Sequence, residues 1–267
     1  MLKLYHGITS VCSVKVRLGL AEMGLEYESE VLNLPAGDQH HPDYLKLNRD
    51  GVVPTLIDDG HVLVESNLIL EHLDRVHNGS GLMPSEPFAQ ANARHWLHRC
   101  LALHDAINTL TFSTVNRQKA LASKTKEQIR ESVAKIPNPA MRMKRQDIYD
   151  HGLQSRYLEQ ALVTLRDALA DMSDILQSRD WITGPEFGIA DIALLSYFDR
   201  LERLGLEGLW DDAPEVAVWL SRMQARPSYK TELLDKVSHD AAAQMRQVGS
   251  TFWPEIKAMW RAQTSRA

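Results

Sequence analysis

Over its first 80 residues the chain changes hydrophobic period at almost every segment, and few folds can accommodate that order. Leu2–Tyr5 is a short apolar strand candidate. Ser13–Met23 carries Val16, Leu18, Leu20 and Met23 with Lys15, Arg17 and Glu22 between them, which reads as a short helix. Gly24 follows where a left-handed residue ends a helix at low cost. Tyr27–Leu32 is a second strand, and Pro42–Leu47 a short helix. Val53–Ile57 and His61–Val64 flank Asp58-Asp59-Gly60, a strong hairpin signal. Ser66 is placed to cap a further helix that buries Leu68, Ile69, Leu73 and Val76 and ends near Asn78-Gly79. The order β-α-β-α-β-β-α is thioredoxin-like: an α/β layer that presents helix N-termini to a ligand.

After Gly79-Ser80-Gly81 and Pro84, strand signals become rare. Ala89–Phe112 contains neither proline nor glycine and reads as one long helix. Ser113–Asp150 is highly charged, is interrupted by Ile136-Pro137-Asn138-Pro139, and reads as helix, break, helix. Helices are also expected over Gly152–Leu176, Ile189–Leu204, Val216–Arg226, Thr231–Val248 and Pro254–Ala262. The expected architecture is a thioredoxin-like α/β domain over residues 1–80, followed by an all-α helical bundle domain over 88–267. A formal net charge of −5 gives no whole-chain attraction to nucleic acid or anionic membrane. No uncharged apolar stretch of about 18 residues suggests a membrane span. No secretory start is visible. With only two cysteines, Cys12 and Cys100, in no framework spacing, a reducing cytoplasmic setting is expected. Of the 11 histidines only His40-His41 are adjacent, and no partner has ligand spacing to them, so no metal is expected.

Three segments fall where a small anionic thiol would need them. Thr9-Ser10-Val11-Cys12-Ser13 opens the first helix, where hydroxyls, free N–H groups and the helix dipole stabilise an anion such as a thiolate. The same hydroxyls suit a plain N-cap, and Cys12 alone suits a buried apolar site. Val53-Pro54 opens a strand, which suits a cis peptide that leaves the Val53 N–H and C=O to an extended ligand. A trans proline on an edge strand is the alternative. Glu65-Ser66, at the start of the third helix, can pair an ammonium and grip a carboxylate, as an α-amino-acid head group requires. It can equally be a simple cap.

The run L-Y-x(4)-S-x-C-S-x-K-V-R-L, then V-V-P-T-L, D-D-G and E-S-N-L-I-L-E-H-L, resembles the N-terminal domain of glutathione transferases. Gly188-Ile189-Ala190-Asp191 resembles the buried cap that opens a core helix in these proteins, although Gly188 lacks the usual hydroxyl. The resemblance implies that Glu65 and Ser66 hold the γ-glutamyl end of glutathione and that Val53, before a cis Pro54, pairs with its cysteinyl backbone. Gln39 and His40 would then lie near the glycyl carboxylate. Ser10 would contact the thiol, with Ser13 and Cys12 as near-register rivals. An apolar, aromatic electrophile would sit opposite, near Phe112, Val115 and Trp253, and the protein would be a homodimer. The segment D-Q-H-H-P-D-Y-L-K-L-N-R-D-G-V-V-P and the charged insert with K-I-P resemble most the glutathione-dependent β-aryl etherases of the lignin-degrading type, and also fungal serine transferases. That branch implies cleavage of a β-aryl ether. A Cys12-dependent thiol transferase or reductase, or a non-catalytic binding protein on the same fold, are the alternatives.

Overall fold

The computed structural model describes residues 1–79 and 81–264, so Ser80 of the expected linker and residues 265–267 lie outside it. The first part of the chain is β1 (Leu2–His6), α1 (Val11–Glu22), β2 (Glu28–Val31), α2 (Pro42–Leu45), β3 (Thr55–Asp58), β4 (His61–Val64) and α3 (Ser66–His77). The strands form one mixed sheet of order β2-β1-β3-β4. β1 and β2 are parallel, joined by the α1 crossover, while β1–β3 and β3–β4 are antiparallel. This is the thioredoxin-like order expected from the period changes.

Register decides where chemistry can gather. Tyr5 pairs with Thr55, and Thr55 with Val64. The end of β1, the start of β3 and the end of β4 therefore share one sheet edge. The turn before α1, the Val53-Pro54 bond and the start of α3 all follow from that edge. Leu2, Asp58 and His61 line up at the opposite edge.

The rest is helical: α4 (Pro87–Ser113), α5 (Val115–Ser123), α6 (Lys126–Ala134), α7 (Pro139–His151), α8 (Leu158–Leu176), α9 (Ile189–Arg203), α10 (Pro214–Gln224), the short α11 (Pro227–Tyr229), α12 (His239–Ser250) and α13 (Trp253–Thr264). No described helix is long and apolar enough to cross a membrane. The charged insert holds three helices rather than two. The extra break is made by Thr125, which opens α6 in a reciprocal cap with Gln128. The single helix expected over Thr231–Val248 is also divided, by a π-helical turn at Lys230–Leu234 before α12.

α1 packs on α3 and, on its other side, on α9. Its residues Ser13–Leu20 are all buried, including Lys15 and Arg17. α9 is buried over most of its length, packed between α1, α4, α10 and α12. Its first turn is fixed by Asp191, which is fully buried and accepts from the Gly188 N–H, the Ile182 N–H (both 3.1 Å) and Trp219 Nε1 (2.8 Å). Burial pushes the Asp191 carboxyl up to about 6, against these donors, which favour its anion.

One expectation about the core is corrected. Ile69, Leu70 and Leu73 of α3 are buried as the pattern requires, but Leu68 is 61% exposed and Val76 is 55% exposed. They lie on the face turned away from the sheet.

Candidate active site

The turn between β1 and α1 is built by two serines with different tasks. Ser10 is the N-cap, in extended conformation, and accepts the Ser13 N–H at 3.4 Å. Ser13 is fully buried and its Oγ accepts the Gly7 N–H at 3.2 Å, so its hydroxyl faces back into the turn. Ser10 stays half-buried at the helix mouth. A Cβ on Gly7 would lie 2.5 Å from Leu34 Cδ1, so any side chain there would have to displace Leu34.

Cys12 follows on the first turn of α1, half-buried, with its sulfur turned towards α4. Sγ lies 3.3 Å from His104 Nδ1. The amide of Asn108, one turn further along α4, lies 2.8 Å from His104 Nε2 and holds the ring with Nδ1 facing the sulfur. Lys15 is one turn from Cys12 and fully buried. It donates to Asn67 Oδ1 (2.5 Å) and Tyr197 OH (2.9 Å), and its ammonium stands 4.8 Å from the Tyr197 ring centre. Among the described residues it makes no ion pair with a carboxylate, so a thiolate at Cys12 is the compensating negative charge at hand. Burial alone would push the Cys12 thiol up. His104, Lys15 and the Ser66 hydroxyl outweigh it and bring the thiol to about 6. Cys100, by contrast, is buried and pushed up by that burial, as an inert core thiol is.

The other expected contacts follow from the same sheet edge. The Val53-Pro54 bond is cis. The carbonyl of Val52 is taken by Tyr44 OH (2.6 Å) and Asn48 Nδ2 (3.0 Å), whereas no intramolecular hydrogen bond of the described residues uses the Val53 N–H or C=O. Glu65 is exposed and sits at a φ of 71°, an uncommon conformation for a residue with a side chain. It holds the N-cap position of α3 without a side-chain cap, and Ser66 is the first helical residue, not the cap expected from sequence. Ser66 is buried beside Cys12. Gln39 carries a buried Oε1 with no partner, the kind of polar atom a ligand would satisfy. Beside it, Gly51 has a φ of +62°, and a Cβ there would come within 2.9 Å of His40 and 3.2 Å of Pro137. The charged insert thus reaches the Gln39–His40 loop. Burial, then Lys135 of that insert, hold His40 below its ordinary value.

Across from this edge, His104, Asn108 and Phe112 project from successive turns of α4, one face of the helix. Phe112 meets Tyr149 edge-on at 6.3 Å and carries the Arg145 guanidinium over its ring. Of the other two expected wall residues, Val115 is buried, and Trp253 packs instead over Gly208, where a Cβ would strike its indole at 2.2 Å. His104 was not visible to sequence reasoning. It is 92 residues from Cys12 and carries no spacing code, and its only local signal is Asn108 four residues on. A second group has no spacing signal either: Asp58, His72 and His77 bring three donor atoms together at the opposite sheet edge.

Two family models match the chain: the N-terminal domain of glutathione S-transferase over residues 1–75, and the C-terminal domain of the same family over 155–222. Among curated proteins, the chain is 28% identical to a tetrachloro-p-hydroquinone reductive dehalogenase of Sphingobium chlorophenolicum, covering 85% of this chain and 94% of that one. It is 29% identical to protein LigF of Sphingobium sp. strain NBRC 103272 / SYK-6, covering 88% and 93%. The crystal structure of the β-etherase LigF from Sphingobium sp. strain SYK-6 superposes with a TM-score of 0.78 at 27% identity, over 88% of this chain and 99% of that one. A theta-class transferase from Xanthomonas axonopodis pv. citri, solved with glutathione bound, shares the fold with a TM-score of 0.62 at 22% identity, over 87% and 97%.

Proposed function

This chain belongs to the glutathione S-transferase family, and on that footing we propose that it uses glutathione against an apolar aromatic electrophile, with Cys12 as a second, resident thiol. Glutathione lies along the sheet edge. The unused Val53 N–H and C=O pair with its cysteinyl backbone, and Glu65 and Ser66 take its α-amino-acid head. The buried Gln39 amide oxygen accepts from its glycyl N–H, and His40 lies near its glycyl carboxylate. Its thiol points at the mouth of α1, where the Ser10 hydroxyl and the helix N-terminus favour the thiolate. Ser13, buried and committed to the Gly7 N–H, supports the turn rather than the thiol.

The thiolate of glutathione attacks carbon, a C–S bond forms, and the leaving group departs with its electron pair as a phenolate or a halide. The enzyme can stop at that conjugate. Where the carbon is activated, the Cys12 thiolate attacks the sulfur of the conjugate: an S–S bond forms, the C–S bond breaks, and the carbon takes its electron pair and a proton. A second glutathione cleaves the mixed disulfide. The sum is R–X + 2 GSH → R–H + HX + GSSG. The single observation that carries the second step is the Cys12 sulfur facing α4 at 3.3 Å from His104, on the side where the electrophile is expected. The similarity to a protein named as a reductive dehalogenase supports this outcome, and the similarity to the β-etherase LigF supports cleavage of an aryl ether, with the phenolate leaving, as the first step. Incubating wild type and Cys12→Ser with glutathione and a halogenated hydroquinone separates the steps. Conjugate formation should survive in the variant while oxidised glutathione disappears. Equal yields of oxidised glutathione from both would overturn the role of Cys12, and no conjugate from either would overturn the transferase reading.

A further inference from the structure

We infer that Asp58, His72 and His77 form a binding site for a divalent transition cation of the zinc type, at the sheet edge opposite the glutathione site. Asp58 closes β3. Its Oδ2 lies 2.8 Å from His72 Nε2 and 2.8 Å from His77 Nε2, both on α3. The three donor atoms all lie within 4.8 Å of one another. The two imidazoles are perpendicular (72°, ring centres 6.1 Å apart), so their nitrogens converge on one point instead of stacking. Two imidazole nitrogens and a carboxylate are the donor set that zinc and its neighbours in the first transition row prefer.

The electrostatics also favour a cation. Asp58 is 7% exposed, and its only ion-pair partners among the described residues are these two histidines, whose Nε2 atoms both face it. A divalent ion bound among the three would set two positive charges beside this buried carboxylate. Zinc–nitrogen bonds of about 2.0–2.1 Å require donors about 3.3 Å apart in a tetrahedron. Both imidazoles, 28% exposed, can open that far by small side-chain rotations. The remaining position is open to water or to His61. That residue pairs directly with Asp58 across the hairpin, shares its sheet face, and is exposed. Such an ion ties the β3–β4 hairpin to the C-terminal end of α3. It stands apart from the chemistry, because Asp58 aligns with Leu2 and His61 while the glutathione edge aligns with Tyr5, Thr55 and Val64.

The test is titration of the chelator-stripped full chain with Zn²⁺ by calorimetry, with melting curves alongside. Wild type should show one saturable site of micromolar affinity or tighter, and a melting temperature raised by the metal. His77→Ala, a half-exposed surface change, and His72→Ala/His77→Ala should each weaken binding at least tenfold and abolish the thermal shift. The control is His95→Ala/His98→Ala, which removes two exposed histidines of α4 and should bind as wild type does. The absence of saturable binding to wild type, or an equal loss in the control, would overturn the site. Should the double variant fail to fold by far-ultraviolet circular dichroism, His77→Ala alone decides, and unchanged affinity there overturns it.

Discussion

Cys12 draws its acidity from two neighbours of different kinds, and they can be removed one at a time. His104 contributes its charge and a directed hydrogen bond, and Lys15 a buried charge. A thiol is charged above its pKa, so at about 6 Cys12 is mostly thiolate at pH 7. Loss of the imidazole in His104→Ala should return it towards the ordinary value of roughly 8.5, leaving only a few per cent thiolate at pH 7. The rate of Cys12 alkylation by iodoacetamide at pH 7 should then fall by about tenfold or more, with the half-maximal pH moving upward. An unchanged profile would remove His104 from the site. Ser66→Ala should weaken glutathione by roughly tenfold or more in calorimetry, because a hydrogen bond to a charged group is worth about 1.5–3 kcal/mol. Unchanged affinity would detach Ser66 from the head group. At this scale the sequence pointed to the turn before α1, to a cis Val53-Pro54 bond and to the start of α3, and the structure has that cis bond and gathers the three at one sheet edge, because strand–turn–helix order positions them locally. The sequence did not disclose His104 or the Asp58 cluster, because contacts across 92 or 14–19 residues are products of packing and have no spacing signature.

Among the elements, α9 depends on a single side chain for its first turn. Asp191→Ala would leave the Ile182 and Gly188 N–H groups and the Trp219 indole N–H without their acceptor inside the core. Each buried donor left unpaired costs about 1–3 kcal/mol, so a loss of about 3 kcal/mol or more is expected in urea unfolding at an unchanged m-value. Asp191→Asn keeps one acceptor oxygen and should lose less. Most elements were legible: β4 has the expected bounds, and β1, β3, α3 and α9 start or end within two residues of them. The errors have identifiable causes. Leu68 and Val76 fit an apolar stripe, but the sheet takes only the Ile69–Leu73 side of α3. The break before α6 carried a readable signal in Thr125 and Gln128. The turn at Lys230–Leu234 carried none, since it is held from outside by Arg17 against Glu232 (3.2 Å).

For the whole molecule, the surface of the first part presents Val62 and Val64 of β4 and Leu68 and Val76 of α3, and α4 adds Phe88, 81% exposed, and Leu101. So many large apolar side chains on neighbouring elements are uncommon on a monomer, and we expect a two-fold dimer that covers them. Light scattering at micromolar concentration should give about twice the chain mass, and Leu68→Glu should shift it towards the monomer. A monomeric wild type would refute the assembly while leaving the site intact.

Arg17 has a reach that bears on how such a protein could change over time. From the middle of α1 its guanidinium donates to the carbonyls of Gly7 (3.3 Å) and Ile8 (3.1 Å), and to the carbonyl and carboxylate of Glu232 (2.9 and 3.2 Å). Two residues earlier, Lys15 is lodged on Tyr197 of α9. The helix that carries the reactive thiol is thus keyed into the far end of the chain as firmly as into its own sheet. A graft that brought in a foreign helical half without matching Tyr197 and Glu232 would take one of two hydrogen-bond partners from the buried Lys15 and the one carboxylate partner from the buried Arg17. A change in the helical half that displaced Tyr197 would therefore reach the acidity of the Cys12 thiol through Lys15, a residue that need never touch either substrate.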